Sequence, residues 1–344
     1  MRDRKEYVGI NYFKIISAFL VIAIHTSPFA SFNGNIDFIF TRIWARMAVP
    51  FFFMITGYFI LPKCLKGEYK DIRLKKYIVK ISKIYVLATI LYIPINTYAK
   101  YFNQSHLLLN IVKDIIFDGT FYHLWYLPAS ILGTMIIYFL LKKFSYKKTF
   151  FIAIILYLIG LFGDSYYGFV EKISFFKLFY QGVFFFSDYT RNGIFFSPIF
   201  ILLGYCTYIT KTQLKKQSIN FISSIKGFFL SFLLLNVEGI LLYIYHIQRH
   251  DSMYIFLIPC MLYLFNTLLF VEGKRNRGIK NVAILIYIFH PLFIILVRGF
   301  AKITEFTWLI VDNSFMHYIV VLVSTTVFSY LSIKIISIQR RGKK

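Results

Sequence analysis

Runs of about twenty mainly apolar residues, each closed by a short polar or basic segment, recur along the whole chain. They fall at 12–31, 38–61, 77–98, 123–141, 149–163, 193–210, 226–246, 252–271, 281–300 and 317–337. An apolar run of that length crosses the ~30 Å hydrocarbon core of a bilayer as a helix, so the pattern predicts ten transmembrane helices, with 149–163 the shortest. No hydrophilic stretch exceeds about 30 residues. The expected architecture is therefore all-α and polytopic, a single membrane domain over 1–344 with no soluble catalytic domain attached, and any chemistry belongs to the bundle.

Two segments between these runs carry too much pattern to be plain loops. From His106 to Phe117 the apolar residues Leu107, Leu108, Ile111, Val112, Ile115 and Ile116 recur at helical spacing, with Asn110, Lys113 and Asp114 on the other face. This predicts an amphipathic helix lying on the outer surface of the membrane. The second segment, Asp164 to Asn192, is thick with Phe and Tyr between scattered charges. It is expected to lie in the outer interface as an aromatic belt or to roof a cavity.

Composition agrees with membrane residence: 58% of residues are hydrophobic, 21% are aromatic, and mean hydropathy is +0.65. The net charge of +24 raises the question of nucleic acid, and the placement of the charges answers it. With the N-terminus inside, the segments 1–6, 62–76, 142–148, 211–216, 272–280 and 338–344 become cytosolic and hold 24 of the 39 Lys and Arg. The opposite segments hold seven. Such asymmetry is the positive-inside rule, which places both termini in the cytosol and assigns the basic surplus to topology and anionic lipid. The three cysteines imply no disulfide framework, and the first apolar run lacks a small-residue cleavage site, so it is expected to remain as a helix.

Ionisable residues inside apolar runs are the candidates for chemistry. His25 stands about two-thirds of the way along the run from Tyr12 to Pro28. Lys14, eleven positions earlier, shares its helix face to within ~20° and lies roughly 16 Å away along the axis. The pair is thus expected to run from the membrane surface to beyond the bilayer centre. At His25 a neutral imbedded imidazole suits a catalytic base or a transient acyl carrier, against the plainer reading of a histidine bonded to a neighbouring helix. Arg42 and Arg46, four apart, share a helix face that suits a carboxylate, or else pair with outer acids such as Asp37 or Asp188. His123, Trp125 and Tyr126 open the fourth run at the outer interface, as membrane anchors or as a stacking surface for substrate. His290 precedes Pro291 in the ninth run, lining a cavity or packing, and Glu238 is a lone acid with a structural or proton-handling role. No Cys/His cluster has zinc-site spacing, no glycine-rich loop joins strand to helix, and no Gly-x-Ser-x-Gly elbow is present, so no metal is expected.

Five strings in order, GINYFKIISAFLVIAIHTSP at 9–28, VPFFFMITGYFI at 49–60, KYIVKISKIY at 76–85, HLWYLPASILG at 123–133 and YIFHPLF at 287–293, resemble the acyltransferase-3 membrane proteins. That family moves acyl groups onto sugars and other extracytoplasmic acceptors, and the resemblance spans nearly the whole chain. It implies an acyl-CoA donor, acetyl-CoA above all, docking from the cytosol against Lys14, Lys80 and Lys83, with His25 as the catalytic residue. Snorkelling to the interface is the alternative for the lysines. The acceptor would be held from outside near Arg42, Arg46, His123, Trp125 and Tyr126. Within the family, GLFGDSYYG at 160–168, DYTRNGIFFSPIF at 188–200 and HDSMY at 250–254 resemble the membrane part of serine racemases of D-Ala-D-Ser type vancomycin resistance. In that branch the membrane part is usually fused to a soluble racemase that uses pyridoxal phosphate, which this sequence lacks, so this chain alone is not expected to racemise. The alternative function is thus a membrane subunit that binds or carries L-serine for a separate racemase, without acyl transfer. Two departures from the family pattern stand out. Asn11 occupies a position where an acid is usual, and Lys14, Lys80 and Lys83 stand where Arg is usual, which removes the planar fork that grips a phosphate twice.

Overall fold

The structure, a computed structural model, describes residues 6–212, 220–273 and 279–342. Parts of the basic segments 1–6, 211–216, 272–280 and 338–344, on which the expected orientation rests, lie outside the described residues. The chain forms α1 (Val8–Thr26), α2 (Gly34–Leu65), α3 (Lys70–Tyr98), α4 (Leu107–Lys113) and α5 (Tyr126–Lys143). It continues through α6 (Tyr146–Phe162), α7 (Ser174–Phe186), α8 (Ser197–Thr212) and α9 (Phe221–Ile244). It ends with α10 (Leu257–Phe270), α11 (Ile279–Ile303), the short α12 (Thr307–Ile310) and α13 (Ser314–Gly342). A two-residue ribbon pairs β1 (Glu6–Tyr7) with β2 (Glu272–Gly273) in antiparallel register.

Each of the ten apolar runs overlaps one helix, and the molecule is an all-α, multi-pass membrane protein. Among the described residues, six helices (α1, α2, α3, α9, α11 and α13) are long and apolar enough to cross a membrane. Helices α6, α8 and α10 have 17, 16 and 14 residues, shorter than the ~20 of an upright span.

Two compact units divide the chain, Met1–Phe51 with Tyr263–Lys344, and Phe52–Leu262. In the first, α11 packs against both α1 and α13. Ala18 and Ile22 of α1, Val282, Ala283, Ile286, Ile294 and Val297 of α11, and Val321 of α13 form its buried core. Small side chains at Ala18 and Ala283 let the helices approach closely, the usual basis of helix packing in lipid. The start of α1 is pinned by the ribbon and by the Gly9 amide, which donates to the Val271 carbonyl at 3.1 Å.

In the second unit α8 packs against α5 and α6 and crosses the end of α2. That crossing is made by glycine from both sides. A Cβ on Gly57 would stand 1.9 Å from the Ile201 carbonyl oxygen, and one on Gly204 would stand 2.1 Å from that of Met54. The expected amphipathic helix is α4, continued by a wide turn over Asp114–Asp118. Its polar side turns inward: Lys113 Nζ meets Asp188 at 2.5 Å, and Tyr101 donates its hydroxyl to Asp114. Leu108, Leu109, Val112, Ile115 and Ile116 are exposed. This arrangement, polar face on protein and apolar face outward, is that of a helix seated in a lipid interface. Helix α7 follows the same pattern, with Phe175, Leu178, Phe185 and Phe186 exposed and Tyr180 buried.

Two buried acids fasten the loops of this unit. Glu238 accepts the Tyr166 hydroxyl at 2.7 Å and the amides of Ile255 and Phe256 at 2.6 and 2.9 Å, just ahead of α10. These three hydrogen bonds tie α9 to the loop ahead of α10. Asp164, fully buried, accepts the Ser165 hydroxyl and the amides of Ser252 and Met253 through one oxygen. Burial pushes its carboxyl above the usual carboxylate range, and the Ser252 amide and Ser165 hydroxyl partly offset this.

Candidate functional site

The face of α1 that carries Lys14 and His25 survives in the structure, but its placement along the helix differs from the expectation. Because α1 begins at Val8 and ends at Thr26, His25 occupies the last turn, and Lys14 lies nearer the other end. The helix stops there because Pro28 disfavours helical backbone at the residue before it, and Ser27 turns into the left-handed region at φ 48°. His25 therefore sits at a helix end, with the chain turning away immediately after it, and not within an uninterrupted run. Lys14, Asn11 and His25 are each half-buried.

His25 meets a second histidine from the far end of the sequence. The rings of His25 and His290 lie face to face, with centroids 5.3 Å apart and planes at 25°. His290 is fully buried in α11. Its Nδ1 lies 2.9 Å from the Tyr287 carbonyl and 3.2 Å from that of Ile286. A carbonyl oxygen only accepts, so Nδ1 must carry the hydrogen, and in the neutral ring Nε2 then holds the lone pair. The His-Pro step in α11 is visible in the sequence, but its contact with His25 is tertiary and leaves no local pattern.

Arg42 and Arg46 do not follow the regular helix that their spacing suggested. Residues Ile39–Ile43 form a wide turn with five-residue bonding, and Trp44–Met47 form a tight three-residue one. The spacing argument for a shared face assumed 3.6 residues per turn, and this irregularity removes that assumption. Both guanidinium-bearing residues are half-buried, and the turns that hold them pack against α1 within the same unit. Asp37, one of the acids considered as their partner, accepts the Phe29 amide at 2.9 Å, and Asp188 takes Lys113.

In the second unit Lys80 and Lys83 are exposed on α3. With Lys75, Lys76 and Val79 they line an open groove of about 640 Å³, every wall of which comes from α3. The groove's surface is almost wholly apolar, although four of the residues that line it are lysines.

His123, Trp125 and Tyr126 separate into different surroundings. His123 is 2% exposed and packs edge-on against Tyr92 and Phe121, with ring centroids at 5.1 and 5.7 Å. Tyr126 rests on Phe52 and Phe53. Trp125 lies beneath the Arg191 guanidinium at 4.9 Å, and the same group covers the ring of Tyr189 at 4.2 Å, which in turn meets His250 at 4.5 Å. Arg191 belongs to the aromatic segment Asp164 to Asn192. Its loop is held by Asn192, whose side chain donates to the Tyr189 carbonyl and accepts the amides of Ile194 and Phe195.

Comparison with known proteins places these features in context. The acyltransferase-3 family, described as an acyltransferase domain, matches residues 7–334. A protein of Enterococcus faecalis named amino-acid racemase is 44% identical over 339 residues, covering 98% of this chain and 46% of its own length. A second of that name from the same organism is 38% identical over 94% of this chain and 45% of its own length. A serine/alanine racemase of Enterococcus gallinarum is 34% identical over 95% of this chain and 46% of its own length. The chain thus spans about half the length of the curated relatives it matches. No solved structure matches. Matched from residue 7 to residue 334, the chain belongs to the acyltransferase-3 family.

Proposed function

We propose that the protein is a membrane-embedded acyltransferase that moves an acyl group, acetyl in the simplest case, from a CoA thioester to a hydroxyl acceptor on the other side of the membrane. The observation that carries this reading is the placement of His25 at a helix end, face to face with His290, on the helix face that also presents Lys14. In the reaction His25 takes the proton of the acceptor hydroxyl as its oxygen bonds to the thioester carbonyl carbon. The carbon–sulfur bond then breaks, and the proton passes to the leaving thiolate, giving an ester and free CoA. Lys14, about 16 Å away along the axis, would attract the donor's phosphates. Lys80 and Lys83, in the second unit, are proposed for the donor on their charge alone. Arg42 and Arg46, which pack beside α1 in the same unit, are the groups proposed for the acceptor; Trp125 and Tyr126, in the second unit, are separate candidates for it.

A second reading has its own support. The relatives are named for amino-acid racemisation, and the chain matches under half of each. In that reading the protein binds or carries L-serine for a racemase and performs no acyl transfer. Vesicles containing the protein distinguish the two when labelled acetyl-CoA consumption and labelled L-serine uptake are followed side by side. Thioester consumption that needs the protein supports acyl transfer, and serine uptake without it supports the second reading.

A further inference from the structure

Helix α11 contains Pro291, which has no amide hydrogen. In a regular helix that amide would bond to the carbonyl four residues back, which belongs to Tyr287. The structure shows what replaces it: the Nδ1 of His290 stands 2.9 Å from that same oxygen. The proline therefore leaves an open acceptor one turn back, and the adjacent histidine donates to it. The consequences are a single tautomer and a ring held at the helix surface. The held ring is the one that lies 5.3 Å from His25, at 25° to it.

We propose that His290 is the positioning residue of His25, a ring locked by the hydrogen vacancy at Pro291 so that its face orients His25 during acyl transfer. The assignment rests on the acyl-transfer reading above. As His25 takes the acceptor proton it gains positive charge, and the adjoining π face of a neutral His290 ring stabilises that charge while fixing the plane of the base. No atom of His290 enters the bond changes: the proton travels from acceptor oxygen to His25 and on to the thiolate. Reacting groups displaced by about 1 Å lose on the order of a hundredfold in rate, so a base without its backing ring is a slower base.

Pro291→Ala separates this role from a merely structural one. The substitution restores the amide to the Tyr287 carbonyl, so the helix gains a hydrogen bond and thermal stability rises, while the Nδ1 hydrogen of His290 must share that oxygen, its other carbonyl neighbour, Ile286, standing farther off at 3.2 Å. Turnover of acetyl-CoA by the purified protein in nanodiscs is expected to show kcat lowered about tenfold or more, with KM for acetyl-CoA unchanged. His290→Asn, which can still reach the carbonyl but has no ring, is expected to lower kcat further than His290→Phe, which keeps a ring. In parallel, 15N-histidine spectra, with His290 assigned by its loss in His290→Phe, are expected to show hydrogen on Nδ1 in the wild type and a shift toward Nε2 in Pro291→Ala. Wild-type kcat in Pro291→Ala and His290→Asn overturns the proposal, as does a wild-type spectrum with the hydrogen on Nε2. Absence of turnover in the wild type would instead remove the acyl-transfer reading, and the positioning role with it, while the spectra would still decide the locked tautomer.

Discussion

Glu238 of α9 accepts the amide hydrogen of Ile255 at 2.6 Å, fixing a loop residue that stands two positions before α10 begins. The same carboxylate takes the Phe256 amide and the Tyr166 hydroxyl. Carboxylates at a helix start satisfy amides that have no partner within the helix. Glu238→Ala leaves buried donors unsatisfied and is expected to destabilise the protein by about 1–3 kcal/mol, whereas Glu238→Gln, which keeps one acceptor oxygen, costs less. Thermal unfolding in nanodiscs checks the order, and equal loss from both substitutions would contradict it.

The crossing of α2 and α8 is expected to tolerate no added side-chain atom. A methyl group at Gly57 or Gly204 would meet backbone oxygens at 1.9 and 2.1 Å, and backbone cannot swing aside as a side chain does. Gly57→Ala and Gly204→Ala are each expected to lower the yield of folded protein sharply, by more than the ~1 kcal/mol typical of a single substitution. Gly182→Ala is the control, since no atom lies within 4 Å of a Cβ built there. Size-exclusion profiles of the three variants give the comparison.

Lys113 and Asp118 hold the α4 segment with unequal strength. The Lys113–Asp188 pair is 60% exposed on the aspartate side, so solvent screens it and Lys113→Ala is expected to cost less than ~1 kcal/mol. Asp118 accepts both the Ser187 hydroxyl and the Asp188 amide at 2.8 Å, and Asp118→Ala is expected to cost more, about 1–3 kcal/mol. Hydrogen exchange over residues 107–122 should rise more in the second variant than in the first.

The same segment should respond to pH. Burial pushes the carboxyls of Asp114 and Asp118 above the ordinary value of 3.8. A raised folded-state pKa means that the folded form binds the proton more readily than the unfolded form. Its contribution to stability is therefore full below 3.8 and lost as pH rises through the raised values. Exchange protection at residues 107–122 is expected to increase as pH falls from neutral toward 4, and a decrease would count against the assignment.

Much of this architecture is legible in the sequence because lipid demands long apolar runs, and each run became a helix. The face shared by Lys14 and His25 was legible for the same reason, since eleven residues make three turns whatever surrounds them. The end of α1 was not, because the apolar run continues through Pro28, although that proline was the available signal. Around Arg42 and Arg46 no Gly marks the change from wide to tight turn, and packing sets it. The stacking of His25 on His290 and the covering of Trp125 by Arg191 join residues remote in the chain, which periodicity cannot reveal.

The most direct measurement is acetyl-CoA consumption by the purified protein in vesicles, for the wild type, His25→Ala and His25→Gln, with thermal unfolding run alongside to verify that each variant is folded. The account predicts protein-dependent release of free CoA that falls at least about a hundredfold in both variants while their stability stays near that of the wild type. Equal release from the wild type and a folded His25→Ala would contradict it.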